Sequence, residues 1–149
     1  MYAALDEHAV DIGAPPDRVW PALLAAVERT FSSPAAAVYA RLVGCEPPAA
    51  KGPRPLGPGS AIPGFRVAEA VPAALLRLEG RHRFSAYALI FRVDDLGGGR
   101  SRVRAESRAD FPGLAGRLYR TGLLRSGGHV AGVRRLLAAI RRRAERAPA

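Results

Sequence analysis

The sequence has few of the features that indicate cross-linking, zinc binding or membrane insertion. Cys45 is the only cysteine in 149 residues, which excludes an intrachain disulfide and a cysteine-based zinc site. No stretch approaches the roughly 18 consecutive apolar residues of a membrane span. The N-terminal residues include Asp6, Glu7 and His8, whereas a signal peptide begins with a basic and then an apolar segment. We therefore expect a soluble, cytoplasmic protein.

Catalytic motifs are also absent. The sequence contains no nucleophile elbow, no phosphate-binding glycine loop and no carboxylate pair, and the glycines near Gly97 are followed by a strand rather than a helix. No two of the three histidines have the spacing of metal ligands on a helix or a strand. We expect no cofactor and no metal, and whether the chain is an enzyme stays open.

The charge is strongly positive, at +10, and Lys51 is the only lysine among 23 Lys and Arg residues. An arginine excess in a chain rich in Ala, Gly and Pro is typical of a GC-rich genome, but the charge still attracts phosphates at low salt. One alternative is therefore a basic surface protein that binds nucleic acid or an anionic membrane. The residues best suited to this role are Arg134, Arg135, Arg141, Arg142, Arg143 and Arg146. Cations at a helix C-terminus are also explained by the helix dipole, and nucleic acid is disfavoured because no exposed aromatics accompany them.

Periodicity predicts one strand and two helices before residue 45. Residues 8–12 alternate as a strand, with His8 on the same face as the apolar residues. A helix capped by Asp17 follows, and a second helix is capped by Ser33 and ends at Gly44. The predicted buried side of the second helix is Val38, Leu42 and Val43.

A proline- and glycine-rich loop over residues 45–64 separates this part from a run of strands. Long loops often cover a binding site, and a variable insertion is the alternative. Strands are predicted at residues 65–71, 75–82, 87–93 and 102–111. Their alternation indicates an antiparallel sheet with one charged outer face. The order of elements predicts an α+β fold with the helices on one side of the sheet.

Residues 12–20 read Ile-Gly-Ala-Pro-Pro-Asp-Arg-Val-Trp. This segment, after a first strand and at the start of a first helix, resembles the START-like superfamily (SRPBCC), which includes polyketide cyclase and dehydrase-like proteins, lipid-transfer START domains and plant Bet v 1-like proteins. The resemblance in element order covers the whole chain, 1–149, as a single domain. It implies a helix-grip fold, in which a curved antiparallel sheet wraps around a long C-terminal helix, with two short helices between the first and second strands. It also implies a pocket for a hydrophobic molecule, and it supplies no universal catalytic residues.

The segment after Pro112 contains no further proline until Pro148 and reads as one long helix. At helical spacing Arg125 and His129 lie within its apolar stripe, which also contains Leu114, Leu118, Gly122, Gly132, Val133, Leu136 and Ile140. A buried guanidinium requires a partner, and glycines beside it leave room, so the pair predicts a polar anchor in a pocket. In the alternative, Gly127 and Gly128 break the helix, and both side chains reach solvent.

Other polar residues on inward phases complete the predicted site. His82, Tyr87 and Ser107 would offer donors and acceptors to a ligand, and His82 and His129 are the candidate catalytic bases. The full predicted ligand-binding set is Trp20, Phe65, Leu78, His82, Tyr87, Ser107, Leu118, Arg125, His129 and Val133. The leading interpretation is binding or carriage of a small hydrophobic molecule such as a lipid or polyketide. The main alternative is a cyclase- or aromatase-like enzyme on the same fold, and neither the ligand nor the oligomeric state can be inferred from the residues.

Overall fold

The computed structural model describes residues 3–47 and 49–146, without the side chains at positions 3, 123–126 and 128. Its elements follow the chain in the order β1 Ala3–Ile12, α1 Pro16–Phe31, α2 Pro34–Leu42, β2 Ala61–Ile62, β3 Phe65–Val71, β4 Leu75–His82, β5 Ser85–Gly97, β6 Arg100–Asp110, α3 Gly113–Ser126 and α4 Gly128–Arg146. All neighbouring strands are antiparallel, in the spatial order β1-β6-β5-β4-β3-β2. The predicted α+β class is confirmed, as are the curved antiparallel sheet and the two helices between the first and second strands.

The strands follow from alternation of apolar and polar side chains. β3 and β4 have the predicted bounds, whereas β5 and β6 each begin two residues earlier than predicted, and β5 also extends further, to Gly97. Along β6, Val103, Ala105 and Ser107 are buried while Arg104 and Glu106 between them lie on the outer face. The outer arginines pair with acidic side chains across the strands, as in Arg104 with Asp94. The charged face is thus a network of surface ion pairs.

The loop over residues 45–64 is more structured than the sequence predicted. It contains the two-residue strand β2, and it packs Leu56 and Ile62 into the core at 4% and 1% exposure. Glu46 forms an antiparallel bridge with Arg81, which holds the start of the loop to the end of β4. The apolar side chains were too widely spaced among prolines and glycines to indicate a buried segment.

The two early helices begin close to the predicted positions, but two details were wrong. Pro15 occupies the N-cap position of α1, and Asp17 lies in the first turn. Ser33 caps α2, as predicted, through a 3.1 Å hydrogen bond from the N–H of Ala36. The predicted buried side of α2 is wrong because the helix turns Ala40 inward and leaves Leu42 71% exposed.

The predicted single C-terminal helix is also wrong. Gly127 adopts φ 68°, a left-handed conformation that ends α3, and α4 starts at the next residue. The sequence alternative, a break at Gly127 and Gly128, describes the backbone correctly. α4 packs on α1 and β1 through a buried stripe that includes Val133, Leu136 and Ile140. At its far end Glu145 accepts a 2.8 Å hydrogen bond from the N–H of Gly13.

The core lies between the inner face of the sheet and the packed pair α1 and α4. Its fully buried members include Leu23, Leu76, Phe91, Val103 and Ile140. In the described ranges 3–47 and 49–146, no helix has both the length and the apolar composition needed to cross a bilayer.

Candidate functional site

A cavity of about 540 Å³ lies beside this core, between the inner face of the sheet and the first turns of α4. Its walls come from the inner face of the sheet, the end of α1, α2, the loop before β3, α3 and the first turns of α4. Thr30, Ala35 and Tyr39 belong to the lining and are also solvent-exposed. The cavity therefore opens at the side formed by the end of α1 and by α2.

One wall of the cavity is a continuous series of ring side chains, which we call the aromatic series: Phe31, Phe65, Tyr87, His82 and Tyr119. Successive ring centroids are 4.8, 5.2, 5.4 and 4.9 Å apart. The rings are tilted or edge-on to one another, which is the arrangement that ring quadrupoles favour. The series presents an extended, rigid aromatic surface to the cavity.

His82 lies in the middle of the aromatic series, and both of its ring nitrogens have protein partners. Nδ1 accepts a 3.0 Å hydrogen bond from the N–H of Phe84, so in the neutral ring Nε2 carries the proton and donates to Ser85 Oγ at 3.2 Å. Burial lowers the pKa of His82 below its usual 6.5. A neutral, fully bonded imidazole of this kind is suited to packing against a ligand.

Tyr87 anchors the loop to the sheet. Its hydroxyl donates to the carbonyl of Gly64 at 2.7 Å and lies 3.6 Å from Cys45 Sγ. Burial raises the pKa of the Tyr87 hydroxyl, and it also raises the pKa of the Cys45 thiol. Both groups therefore stay protonated at neutral pH, and the thiol is not an activated nucleophile.

The hydroxyl groups of Tyr39 and Tyr119 are hydrogen-bonded to each other, joining α2 to α3 beside the opening of the cavity. Tyr119 also stacks on Phe84, with ring centroids 5.2 Å apart and planes at 17°. The pKa of Tyr119 is raised by burial and by the bond to Tyr39. This pair is the direct link between the two helices at the opening.

A hydrogen-bonded group of three side chains reaches the cavity wall through His129. His129 Nε2 is 3.3 Å from Asp6 Oδ1, and His8 Nε2 is 3.3 Å from Asp6 Oδ2. A register shift in β1 between Ala4 and Asp6 turns Leu5 into the cavity wall and leaves Asp6 on the inner face, opposite α4. The carboxylate accepts from both rings, so both imidazoles carry the proton on Nε2 when neutral.

Ser107 lies beside this group, because it pairs with Asp6 across β1 and β6. It is 4% exposed and lines the cavity. Its Oγ has no hydrogen-bond partner within the part of the chain that the structure describes. An unpaired buried hydroxyl is unfavourable, by about 1 to 3 kcal/mol.

The structure brings six of the ten predicted site residues to the cavity wall: Phe65, His82, Tyr87, Ser107, His129 and Val133. Three others lie elsewhere. Leu78 is fully buried in the core, Trp20 packs against the core from α1, and Leu118 is 66% exposed because α3 does not continue the inward stripe of α4. The side chain of Arg125 lies outside the described residues. His129 is half-buried toward the cavity, so the expectation that a break would turn it into solvent is wrong.

Sequence reasoning missed Asp6, Tyr39 and Tyr119. Asp6 continues the alternation of His8, Val10 and Ile12, and extending the first strand by two residues would have placed it on the inner face. No local pattern indicated Tyr39 or Tyr119, because their contact joins helices 80 positions apart. Among the residues that the structure describes, no three His, Cys, Asp or Glu side chains are placed to hold a metal ion.

The sequence matches no protein-family model and no curated protein. Solved structures resemble the chain in fold. An aromatase/cyclase from Streptomyces sp. R1128 superposes with a TM-score of 0.55 at 16% identity, over 98% of this chain and 95% of its own. A protein from Rhizobium loti superposes with a TM-score of 0.54 at 18% identity, over 96% of this chain and 97% of its own. A polyketide-cyclase-like protein from Corynebacterium glutamicum superposes with a TM-score of 0.51 at 17% identity, over 95% of this chain and 92% of its own.

At these identities the comparisons establish the architecture. The chain has the helix-grip fold that the START-like resemblance implied, and it shares that fold with an aromatase/cyclase and with polyketide-cyclase-like proteins.

Proposed function

We propose that the chain binds a small, largely apolar molecule with at least one planar ring in the cavity between the sheet and α4. The observation that carries this proposal is the buried hydroxyl of Ser107, which faces a mostly apolar cavity and has no hydrogen-bond partner among the described residues. A pocket that is mostly apolar and contains a few converging polar groups is the usual form of a small-molecule site.

The size of the cavity supports this class of ligand. A volume of about 540 Å³ lies within the range of about 300 to 1,000 Å³ that small-molecule sites occupy. The aromatic series would stack against a flat ring system. Ser107 and the His129–Asp6 pair would hydrogen-bond a hydroxyl or carbonyl at the other end of the ligand. The contacting residues would be Phe65, His82, Tyr87, Ser107, His129 and Val133.

Native mass spectrometry with palmitic acid, cholesterol and the aromatic polyketide emodin tests this proposal. We expect a stoichiometric complex with emodin, and we expect this complex to be retained in the spectrometer better than the complexes with palmitic acid and cholesterol. Ala109→Phe places a ring in the cavity wall and should abolish the complex, because Ala109 is buried and lines the cavity. Ala131→Phe is the matched control, since Ala131 is exposed on α4 outside the lining. Absence of any complex, or equal loss in both variants, contradicts the proposal.

The His129–Asp6 pair favours a second candidate function, proton transfer on a bound ligand. With Nε2–H donated to Asp6, the lone pair of His129 Nδ1 would take a proton from a carbon next to a ligand carbonyl. Asp6 would stabilise the resulting imidazolium, and Ser107 Oγ–H would donate to the enolate oxygen. The Nδ1–H of the imidazolium exchanges with solvent, and return of a solvent-derived proton from Nδ1 to the carbon regenerates the imidazole and the carbonyl compound. A solved structure of the same fold is an aromatase/cyclase. The substrate class that we propose for this second function is therefore a carbonyl compound that is a precursor of a ring.

Deuterium exchange at the carbons next to the carbonyl of β-tetralone, followed by proton NMR in deuterated buffer, tests this second function. We expect exchange above the buffer rate, lost in His129→Gln and retained in His8→Gln, because His8 does not line the cavity. Binding of β-tetralone is measured separately, by calorimetry. Binding without accelerated exchange would leave the binding function and reject the catalytic one.

A further inference from the structure

Helices α2 and α3 turn apolar side chains toward solvent. Val38 and Leu42 lie one turn apart on α2 and are 55% and 71% exposed, while Leu114 and Leu118 lie one turn apart on α3 and are 73% and 66% exposed. A helix of a folded domain normally directs such pairs at its core. α2 and α3 have the opposite orientation, and each presents an exposed apolar strip that needs an explanation.

The charged residues of α2 and α3 themselves are all cationic. The sequences of α2 and α3 contain no Asp, Glu or Lys, and their described arginines are Arg41, Arg117 and Arg120. Arg83 adds a fourth cation, because its N–H donates to the carbonyl of Val43 at the end of α2. These four arginines form no salt bridge within the described part of the chain, whereas Arg102 and Arg104 on the sheet are paired with carboxylates.

We call the exposed side chains Val38, Leu42, Leu114, Leu118, Arg41, Arg117 and Arg120 the α2–α3 patch. The hydrogen bond between Tyr39 and Tyr119 joins the two helices that carry it. We infer that the α2–α3 patch docks on the surface of a bilayer that contains anionic phospholipids. Exposed leucines flanked by arginines fit this surface because the apolar groups enter the acyl boundary and the guanidinium groups meet lipid phosphates.

The charge of the α2–α3 patch disfavours a second copy of the chain as its occupant. A two-fold interface would bring the same arginines of both copies together without a carboxylate from either helix. Like charges in contact oppose association. An anionic lipid surface supplies the missing negative charge.

Docking would also position the cavity, a consequence that rests on the proposed ligand-binding function. The opening is bordered by Ala35 and Tyr39 of α2, on the same helix as Val38 and Leu42. A docked α2 therefore turns the opening toward the lipid. An apolar ligand would then pass between bilayer and cavity without crossing bulk water.

Vesicle flotation of the full chain tests the inference, with phosphatidylcholine vesicles and with vesicles in which a third of the lipid is phosphatidylglycerol. We expect binding only to the second kind, weakened by salt. Each arginine near an anionic surface contributes about fivefold to the partition coefficient, so the triple variant R41Q/R117Q/R120Q should lose about a hundredfold. L42S/L118S should lose binding as well. All five positions are exposed, and circular dichroism checks that both variants are folded.

The matched control is R134Q/R135Q/R142Q, which removes three exposed arginines from α4 and changes the net charge equally. It should bind anionic vesicles within a few-fold of the parent chain. Equal loss in both triple variants would mean that total charge drives binding, and it would overturn the assignment to the α2–α3 patch. No flotation of the parent chain, or a dimer in sedimentation velocity that L42S/L118S dissociates, would also overturn it. Ligand binding measured without vesicles reports on the cavity alone, so the two proposals fail separately.

Discussion

The imidazole of His129 donates from Nε2 to Oδ1 of Asp6 at 3.3 Å, and this bond joins the first turn of α4 to β1 across 123 positions of sequence. It lies where the C-terminal helix leaves the core and begins to border the cavity. The bond therefore fixes the distance between helix and sheet at the polar end of the proposed site.

Asp6→Ala should lower the free energy of unfolding by about 1 to 2 kcal/mol, because two hydrogen bonds to a half-buried carboxylate are lost. Urea denaturation measures the change. Glu7→Ala is the control, since Glu7 is exposed on the opposite face of β1 and should change stability by less than about 0.5 kcal/mol. A double-mutant cycle of Asp6 and His129 should give a coupling of about 0.5 to 1.5 kcal/mol; a coupling near zero would show that the bond is not formed.

Ser107→Ala should raise the free energy of unfolding of the ligand-free protein by about 1 kcal/mol, because it removes a buried hydroxyl without a protein partner. Ser101→Ala makes the same chemical change six residues away on the same face of β6, where the hydroxyl donates to the carbonyl of Ala14 at 2.7 Å. That variant should lower the free energy by about 1 to 2 kcal/mol. Equal and destabilising effects of both substitutions, measured by urea denaturation, would contradict the description of the cavity wall.

Gly80→Ala and Gly132→Ala should change stability in opposite directions. A Cβ at Gly80 would lie 2.0 Å from the carbonyl oxygen of Gly64 and 2.9 Å from a ring carbon of Tyr87, so the loop has to move, at a cost of about 1 to 3 kcal/mol. A Cβ at Gly132 meets nothing within 4 Å on α4, and alanine should stabilise that helix by about 0.5 to 1 kcal/mol. Thermal melts of the two variants measure both changes in stability. If Gly80→Ala left the stability unchanged, the loop would not pack on β4.

The pKa of His82 predicts a loss of stability in mild acid. Burial lowers this pKa in the folded protein below its usual 6.5, so below that pH the unfolded chain binds the proton more readily. The contribution of His82 is therefore absent at higher pH, becomes destabilising as the pH falls through 6.5, and levels off below the folded pKa. His82→Gln keeps one acceptor and one donor at this position without titrating, and urea denaturation from about pH 7.5 to about pH 5.5 should show a smaller loss of stability than in the parent. Equal losses would exclude a buried neutral ring.

Sequence periodicity was sufficient for much of the sheet. Strands with one buried and one charged face, such as β4 and β6, alternate strictly, and this pattern depends only on which face meets the core. The cap at Ser33 was equally local, because a hydroxyl and the N–H three residues later form it. These features need no knowledge of the rest of the fold.

The site was harder to predict because its contacts are long-range. The helix wheel drawn through Gly127 placed Leu118 and His129 on one stripe, but the left-handed glycine ends that stripe, and only His129 reaches the cavity. For α2, we predicted that the apolar side is buried. The helix instead turns Ala40 inward. Hydrophobicity alone does not tell which face of a short helix meets the core.

Methyl NMR during titration with β-naphthol tests the central claim most directly, because it locates the ligand. The account predicts saturable shifts for methyl groups of the cavity lining, on Leu89, Val133 and Leu136, and unchanged signals from Leu76 and Val103 in the solid core. Shifts confined to the exposed Leu42 and Leu118, or no saturation at any of the lining residues, would contradict a ligand site inside the protein.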